Sequence, residues 1–301
     1  MKKINIDDGI FRYHTFRATP NIACFSKDYI QVNQFQITID DLYVDSTGFG
    51  LQIREMEGAD VCGFQLKNLN AKLSYSDSGL HGSDIQIETP QSFLALNNLD
   101  LSTKPDQEQT FLDRLSIRTT IANESYLSEK DLAYFIPNIS GSSVIEIDGK
   151  VSMNQGRLSC EDVDIVNGEF FQLQGELDIG NLQDIRNSEF TFNLDSLIYY
   201  PLYHKNSLLN LLIDPDTLKL PFNWEEIDPI HFRGTFEGSL NSIVTKGSIK
   251  SKAFEFSGNL ISGISDSLPI RLLSGNLTGA IYNFDSLFDS RTGLRNIDFS
   301  S

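Results

Sequence analysis

Four histidines, three cysteines and 41 acidic residues are the groups in this 301-residue chain whose types could do chemistry. Their spacing argues against most of it. His14, His81, His204 and His231 are far apart, and none has a second histidine or cysteine at metal-ligand spacing, so they read as core or surface residues. Cys24, Cys62 and Cys160 are isolated, and without a Cys-x-x-Cys pair they read as small apolar side chains in or beside strands. No Gly-x-Ser-x-Gly, His-Glu-x-x-His or phosphate-loop lysine motif occurs, and Gly48-Phe49-Gly50 reads as a turn. The carboxylates alternate with apolar residues, as a solvated face does, so no acid–base pair stands out. We expect no enzyme activity, no metal and no cofactor. Tyr199-Tyr200-Pro201-Leu202-Tyr203 could stack a sugar, but reads better as packing at a corner between elements.

A formal charge of −17 argues against nucleic acid and against anionic lipid headgroups, both of which need clustered lysine and arginine. Hydrophobic residues make up 40% of the chain, enough to bury a sizeable surface. The first residues, MKKINIDDGIFRYHTF, lack the apolar core of a secretion signal, and no stretch reaches the roughly 18 apolar residues of a membrane helix. Asn296 to Ser301 stops inside an alternating pattern without a turn, so we expect an internal piece of a longer chain.

Period-two alternation dominates the elements that would carry any site, which predicts an all-β fold with one dry and one wet face per strand. In Glu169 to Gly180, Phe171, Leu173, Leu177 and Ile179 oppose Gln172, Gln174, Glu176 and Asp178. Phe190, Phe192 and Leu194 repeat the pattern, as do Ile230, Phe232 and Phe236. Three early segments slip phase midway: Ile30 to Ile37, Phe64 to Ala71 and Leu94 to Leu101, which start 34 and then 30 residues apart. One extra residue at a β-bulge would return the apolar side chains to the same face.

Glycine recurs on apolar faces. Ile145 to Val151, with Gly149, matches Ile230 to Phe236, with Gly234, at an offset of 85. Leu173 to Gly180, with Gly175, matches Phe256 to Gly263, with Gly258, at 83, and Leu273 to Gly279 echoes both. A glycine there marks a kink or a close backbone approach. Helix is scarce: Ser128 to Phe135 opens with a capping serine and ends before Pro137, Pro201 to Leu212 forms a second short helix, and a turn of helix falls near Asp285 to Phe288.

This order of pieces resembles the TamB/AsmA-like translocation and assembly proteins, especially their long Bacteroidetes forms. The resemblance rests on the alternating repeats from Phe64 and Ser92, the helix Leu127 to Pro137, the Gly149 strand, Leu173 to Asp184, the corner at Ser196 to Leu212, and Ile230 to Gly238. It covers residues 60 to 301 better than the first 60. It implies an elongated curled sheet (a β-taco or U-shaped trough), here one continuous repetitive segment of 1–301 with sub-boundaries near 120–140 and 213–229. It also implies a periplasmic portion of an inner-membrane-anchored envelope protein, with the anchor and the C-terminal domain outside this chain.

The implied function is to carry phospholipid between inner and outer membranes, or to assist the assembly of outer-membrane proteins. The partners would be phospholipid acyl chains or an unfolded β-strand of a client, with an outer-membrane barrel engaged through the missing C-terminal part. The groove would be lined by Phe171, Leu173, Leu177, Ile179, Phe190, Phe192, Phe232, Phe236, Phe254 and Phe256. Periodicity alone does not separate this from a closed β-sandwich that serves as a non-transporting scaffold or interaction module. An outer-membrane barrel is opposed by a single tryptophan, no evident aromatic girdles and the short helices.

Overall fold

The computed structural model describes residues 3–15, 19–20, 22–103, 111–136, 141–168, 170–184, 187–201, 227, 229–239, 241–264, 271–282, 284–288 and 296–300. These residues form antiparallel strands with three one-turn helices, the all-β class that the alternation predicts. The chain divides into two compact units, Met1–Asn154 and Gln155–Ser301.

The first unit contains β1 (Ile4–His14), β2 (Tyr29–Asp45), β3 (Gly48–Asp60), β4 (Gln65–Leu66), β5 (Asn68–Ser76), β6 (Gly79–Glu88), β7 (Phe93–Thr103), α1 (Phe111–Arg114), β8 (Leu115–Ile121), β9 (Tyr126–Ser128), α2 (Glu129–Leu132) and β10 (Val144–Asn154). Strands pair with their neighbours along the chain, from β1 on β2 through β7 on β8, and β8 and β9 both pair with β10. Tight turns join them. At the β2–β3 turn the Asp45 carboxylate accepts from the Thr47 N–H at 2.7 Å and its hydroxyl at 2.6 Å. Those bonds favour the ionised form and lower the Asp45 pKa.

Registers place the apolar residues of this unit on one face. Leu51 lies opposite Leu73, Leu73 opposite Gly82, Gly82 opposite Leu99, and Leu99 opposite Thr119. Two of the three predicted bulges are present. The β2–β3 ladder gains one residue between Asn33 and Gln36, with Gln34 at φ 51°, and the β7–β8 ladder gains one between Leu96 and Asn98. Leu96, Leu99 and Leu101 then share a face despite the slip. At the third, Phe64 to Ala71, the strand breaks instead: β4 ends at Leu66, β5 starts at Asn68, and the Lys67 N–H bonds to the Glu88 carbonyl.

Helix α2 starts where predicted. Ser128 caps it, accepting from the Lys130 N–H at 3.3 Å. The Asp131 carboxylate takes hydroxyls from Thr89 and Ser92, each at 2.5 Å, and so ties the helix to the end of β6 and the start of β7. The predicted helix Pro201 to Leu212 lies outside the described residues beyond Pro201.

The second unit contains β11 (Arg157–Asn167), β12 (Phe171–Ile179), β13 (Phe190–Tyr199), β14 (Ile230–Ser239), β15 (Ser242–Lys250), β16 (Phe254–Ile264), β17 (Arg271–Tyr282), α3 (Phe284–Leu287) and β18 (Asn296–Ser300). Each strand pairs with the next, so β12 through β17 are hydrogen-bonded on both sides. Its fully buried cluster, Ile227, Ala253 and Leu287, sits where α3 meets the sheet, and Ile230, Phe254 and Ile281 pack against it. Most other apolar strand residues are only half-buried.

Candidate apolar groove

The registers of the second unit can be read as rows running across the strands, since directly opposed residues point to the same face. One row passes through Ile165, Leu173, Leu197, Phe232, Ile249 and Phe256. The next passes through Val163, Gly175, Leu194, Gly234, Gly247, Gly258 and Leu277. A third passes through Cys160, Leu177, Phe192, Phe236, Thr245 and Leu260. Outer rows hold Ile179 opposite Phe190, Phe171 opposite Tyr199, and Phe254 opposite Ile281. All ten predicted lining residues therefore lie on one face. Three of them, Leu177, Phe192 and Phe236, form an unbroken run of direct opposition in the third row.

The glycine row is where this face bends. At Gly234, φ is 147°, and a Cβ would fall 2.1 Å from the Lys246 carbonyl oxygen. A Cβ on the facing Gly247 would lie 2.8 Å from the Gly234 Cα. The two backbones meet where no side chain fits, and the strand turns there. The consequence is visible in β14. Phe232 and Phe236 are four residues apart, about 13 Å along a straight strand, yet their ring centroids are 4.4 Å apart. The two halves of the strand lean toward each other across the crease. Gly175, Gly234 and Gly258, singled out by the sequence echoes, meet in this row through the registers, whereas Gly275 is one step off, opposite Leu260. Gly247 has no such echo in its sequence, and only the register reveals it.

Along the crease the flanking side chains change size. They are Leu173 and Leu177 on β12, Leu197 and Phe192 on β13, Phe232 and Phe236 on β14, then Ile249 and Thr245 on β15. On β16 the same positions are Phe256 and Leu260, and on β17 they are Gly279 and Gly275. Nine of the ten predicted residues are half-buried, and Phe232 alone is buried, at 8% exposure. A sheet sealed against a facing layer would bury this whole row set, as protein interiors are packed to crystal-like density.

The opposite face is wet. It carries Gln174, Glu176, Arg233, Lys246 and Asn259, and cross-strand ion pairs such as Arg157 with Asp178 and Lys250 with Glu255. A depression of about 230 Å³ lies against β16–β18, lined by Glu255, Ser257, Thr278 and Asp298 among others. It is smaller than the roughly 300–1,000 Å³ of small-molecule pockets.

One chain of chemistry-bearing residues emerges only from the fold, in the first unit. Ser78 Oγ is 3.0 Å from His81 Nε2, and His81 Nδ1 is 2.7 Å from Asp100 Oδ1. That is the order of nucleophile, base and acid in acyl transfer. The group stands on an exposed hairpin, with His81 and Asp100 side chains 44% and 48% exposed. The Ser78 N–H turns to Ser76 Oγ at 3.3 Å rather than toward a reacting oxygen, and the chain reads as a surface hydrogen-bond network. Sequence spacing could not show it, because His81 meets Asp100 through the β6–β7 register.

Burial pushes the Cys62 thiol up to about 11, helped by its hydrogen bond with Asp60 and that residue's charge, and burial also raises Cys160, beside Asp178. Raised thiols are poor nucleophiles and poor metal ligands. Among the described residues, no group of three or more histidine, cysteine or acidic side chains could hold a metal, and no helix is long and apolar enough to cross a membrane. Comparisons of the chain with protein-family models, with curated proteins and with solved structures find no match, so the functional reading starts from the geometry of this face.

Proposed function

We propose that the creased apolar face of the second unit shelters the acyl chains of phospholipid. On this reading the chain is a periplasmic segment of an envelope protein anchored in the inner membrane, of the TamB/AsmA-like kind, and it moves lipid between the inner and outer membranes. The observation that carries the proposal is the register: ten residues from four strands share one face, and nine of them stay half-exposed to whatever lies above. Each methylene kept out of water is worth about 0.8 kcal/mol, so a continuous apolar strip lowers the barrier to moving an alkyl chain without fixing it in place. Eight strands at about 4.8 Å spacing give a strip of roughly 34 Å. That exceeds the roughly 15 Å of one leaflet's hydrocarbon.

The ladders favour lipid over an unfolded client strand. Strands β12 through β17 have both edges paired, so a polypeptide laid along the crease would find no backbone partners. Every unpaired N–H or C=O it buried would cost about 1–3 kcal/mol. An alkyl chain carries no such groups. A barrel partner would engage a part of the parent protein outside this chain.

A non-transporting scaffold is the second reading, and one observation favours it: the Phe232–Phe236 contact brings the two walls together at β14. Native mass spectrometry separates the two. Chain exposed to phosphatidylethanolamine/phosphatidylglycerol vesicles and recovered without detergent should carry phospholipid at a defined stoichiometry. Bare protein after that exposure would leave only the scaffold.

A further inference from the structure

We infer that Phe232 and Phe236 are the size-selecting residues of the second unit's groove, closing it at β14 to anything bulkier than a single linear alkyl chain. The inference rests on the lipid reading given above. The two rings are tilted by 34° with centroids 4.4 Å apart, which leaves no room between them. A methylene chain inserted there needs a carbon contact of about 3.5–4.0 Å on each side, so the ring faces must part by roughly 3 Å. They can part, because nothing on the strand is wedged beneath them. The floor under the pair is Gly234 against Gly247, two backbones with no side chain, and the rings occupy the space those glycines leave.

The neighbouring strands differ in a way that gives the pair its role. On β15 the same two positions hold Ile249 and Thr245, and on β17 they hold Gly279 and Gly275. On β16 they are Phe256 and Leu260, so β14 is the one strand from β12 to β17 with an aromatic ring on both flanks, and the crease is tightest there. A chain sliding along it meets a single ring on β13 and on β16, Phe192 and Phe256, and two rings in contact across the crease only at β14. A straight saturated tail parts the rings by its own thickness. A tail bearing a fused aromatic ring system has to force them much further apart, against their mutual stacking and the packing of Phe232, the one buried member of the lining set.

The test compares uptake rates of two phospholipid probes from vesicles, one with linear saturated tails and one with a pyrene-bearing tail. The wild-type chain should take up the linear probe about ten-fold faster, the factor that one aromatic contact can contribute. Phe236→Leu and Phe236→Ala should bring the ratio close to unity by accelerating the pyrene probe. Asn259→Ala, on the exposed wet face of β16, should leave the ratio at its wild-type value. Uptake of both probes with the same ratio in wild type and both Phe236 variants would overturn the constriction and leave the lipid reading standing. No uptake of either probe by any folded variant would overturn both.

Discussion

The two units bend an apolar face by opposite devices. In the first, strands insert a residue: Asp8, Gln34, Asp41 and Asp84 sit at register shifts with φ between 51° and 54°. In the second, most of the bending strands remove a side chain: Gly175, Gly234, Gly258 and Gly275 have φ between 143° and 159° against neighbouring backbone. The contrast is one of emphasis. Asp162 is a bulge of the first kind inside the second unit, and β13 gains a residue there between Leu194 and Leu197. Gly149, at φ 134°, is a glycine of the second kind inside the first. An inserted residue tolerates a polar side chain because it points away from the ladder, and aspartate adopts the left-handed region at modest cost. A glycine crease tolerates nothing, since a Cβ would overlap a carbonyl. The first device bends a strand singly, whereas the second lines up across strands and makes a shared fold line.

The sharpest way to break this contrast is Gly234→Ala, which puts a Cβ against the Lys246 carbonyl in a conformation alanine resists. We expect a loss of about 3 kcal/mol or more in urea unfolding followed by circular dichroism. A loss below about 1 kcal/mol would mean that the crease is adjustable. The thiols compare how tightly each unit closes on a side chain. With its pKa pushed to about 11, Cys62 is thiolate in roughly one molecule per thousand at pH 8, so iodoacetamide should alkylate it about 100-fold more slowly than an ordinary cysteine. Its rate should rise about ten-fold per pH unit up to pH 10. Cys160, raised by burial on the half-exposed face, should react faster than Cys62; the reverse order would mean that the second unit is the better sealed.

Smaller effects probe the bulges. Gln34→Gly relieves a left-handed conformation that costs a side-chain-bearing residue about 1 kcal/mol, and it should stabilise the chain by about that amount. A destabilised variant would show that the Gln34 side chain makes a contribution larger than its strain. Least of all, Gly263→Ala adds a methyl where nothing lies within 4 Å, and should change stability by no more than about 0.5 kcal/mol, toward stabilisation. A loss as large as that of Gly234→Ala would erase the distinction between crease glycines and ordinary ones.

These two devices also explain what the sequence discloses. A bulge leaves a phase slip in the alternation, so Ile30 to Ile37 and Leu94 to Leu101 could be read as bulged without coordinates, although Phe64 to Ala71 has the same pattern and breaks its strand instead. The bulge at Asp41 leaves the same slip, from Ile37 and Ile39 to Leu42 and Val44, whereas the one at Asp84 leaves a fainter one. At Asp84 the glycine Gly82 stands where an apolar residue would mark the phase before Ile85 and Ile87. A crease glycine is legible only where flanking apolar residues frame it, as in Leu173-Gln174-Gly175-Glu176-Leu177. Gly247, framed by Lys246 and Ser248, is invisible for that reason. Face membership of the ten lining residues was readable, because period two is local. The meeting of Phe232 with Phe236, the alignment of glycines into one row and the contact of His81 with Asp100 depend on bends and registers that no single strand encodes. Helix α1, Phe111–Arg114, is too short to leave a periodicity.

The neighbour-by-neighbour ladder has a bearing on how the chain is made. Within each unit almost every sheet contact joins segments consecutive in the chain, so, apart from β13 and β14 with the 30 residues 200–229 between them, closing each pair costs the entropy of a fairly short loop. All-β proteins usually fold slowly because distant strands must find one another. Here each newly synthesised strand arrives beside an edge already in place, and the sheet can zip up from the amino end while the remainder is still emerging. The same layout lets a hairpin be gained or lost in evolution without rewiring the rest, much as solenoids grow by whole repeats.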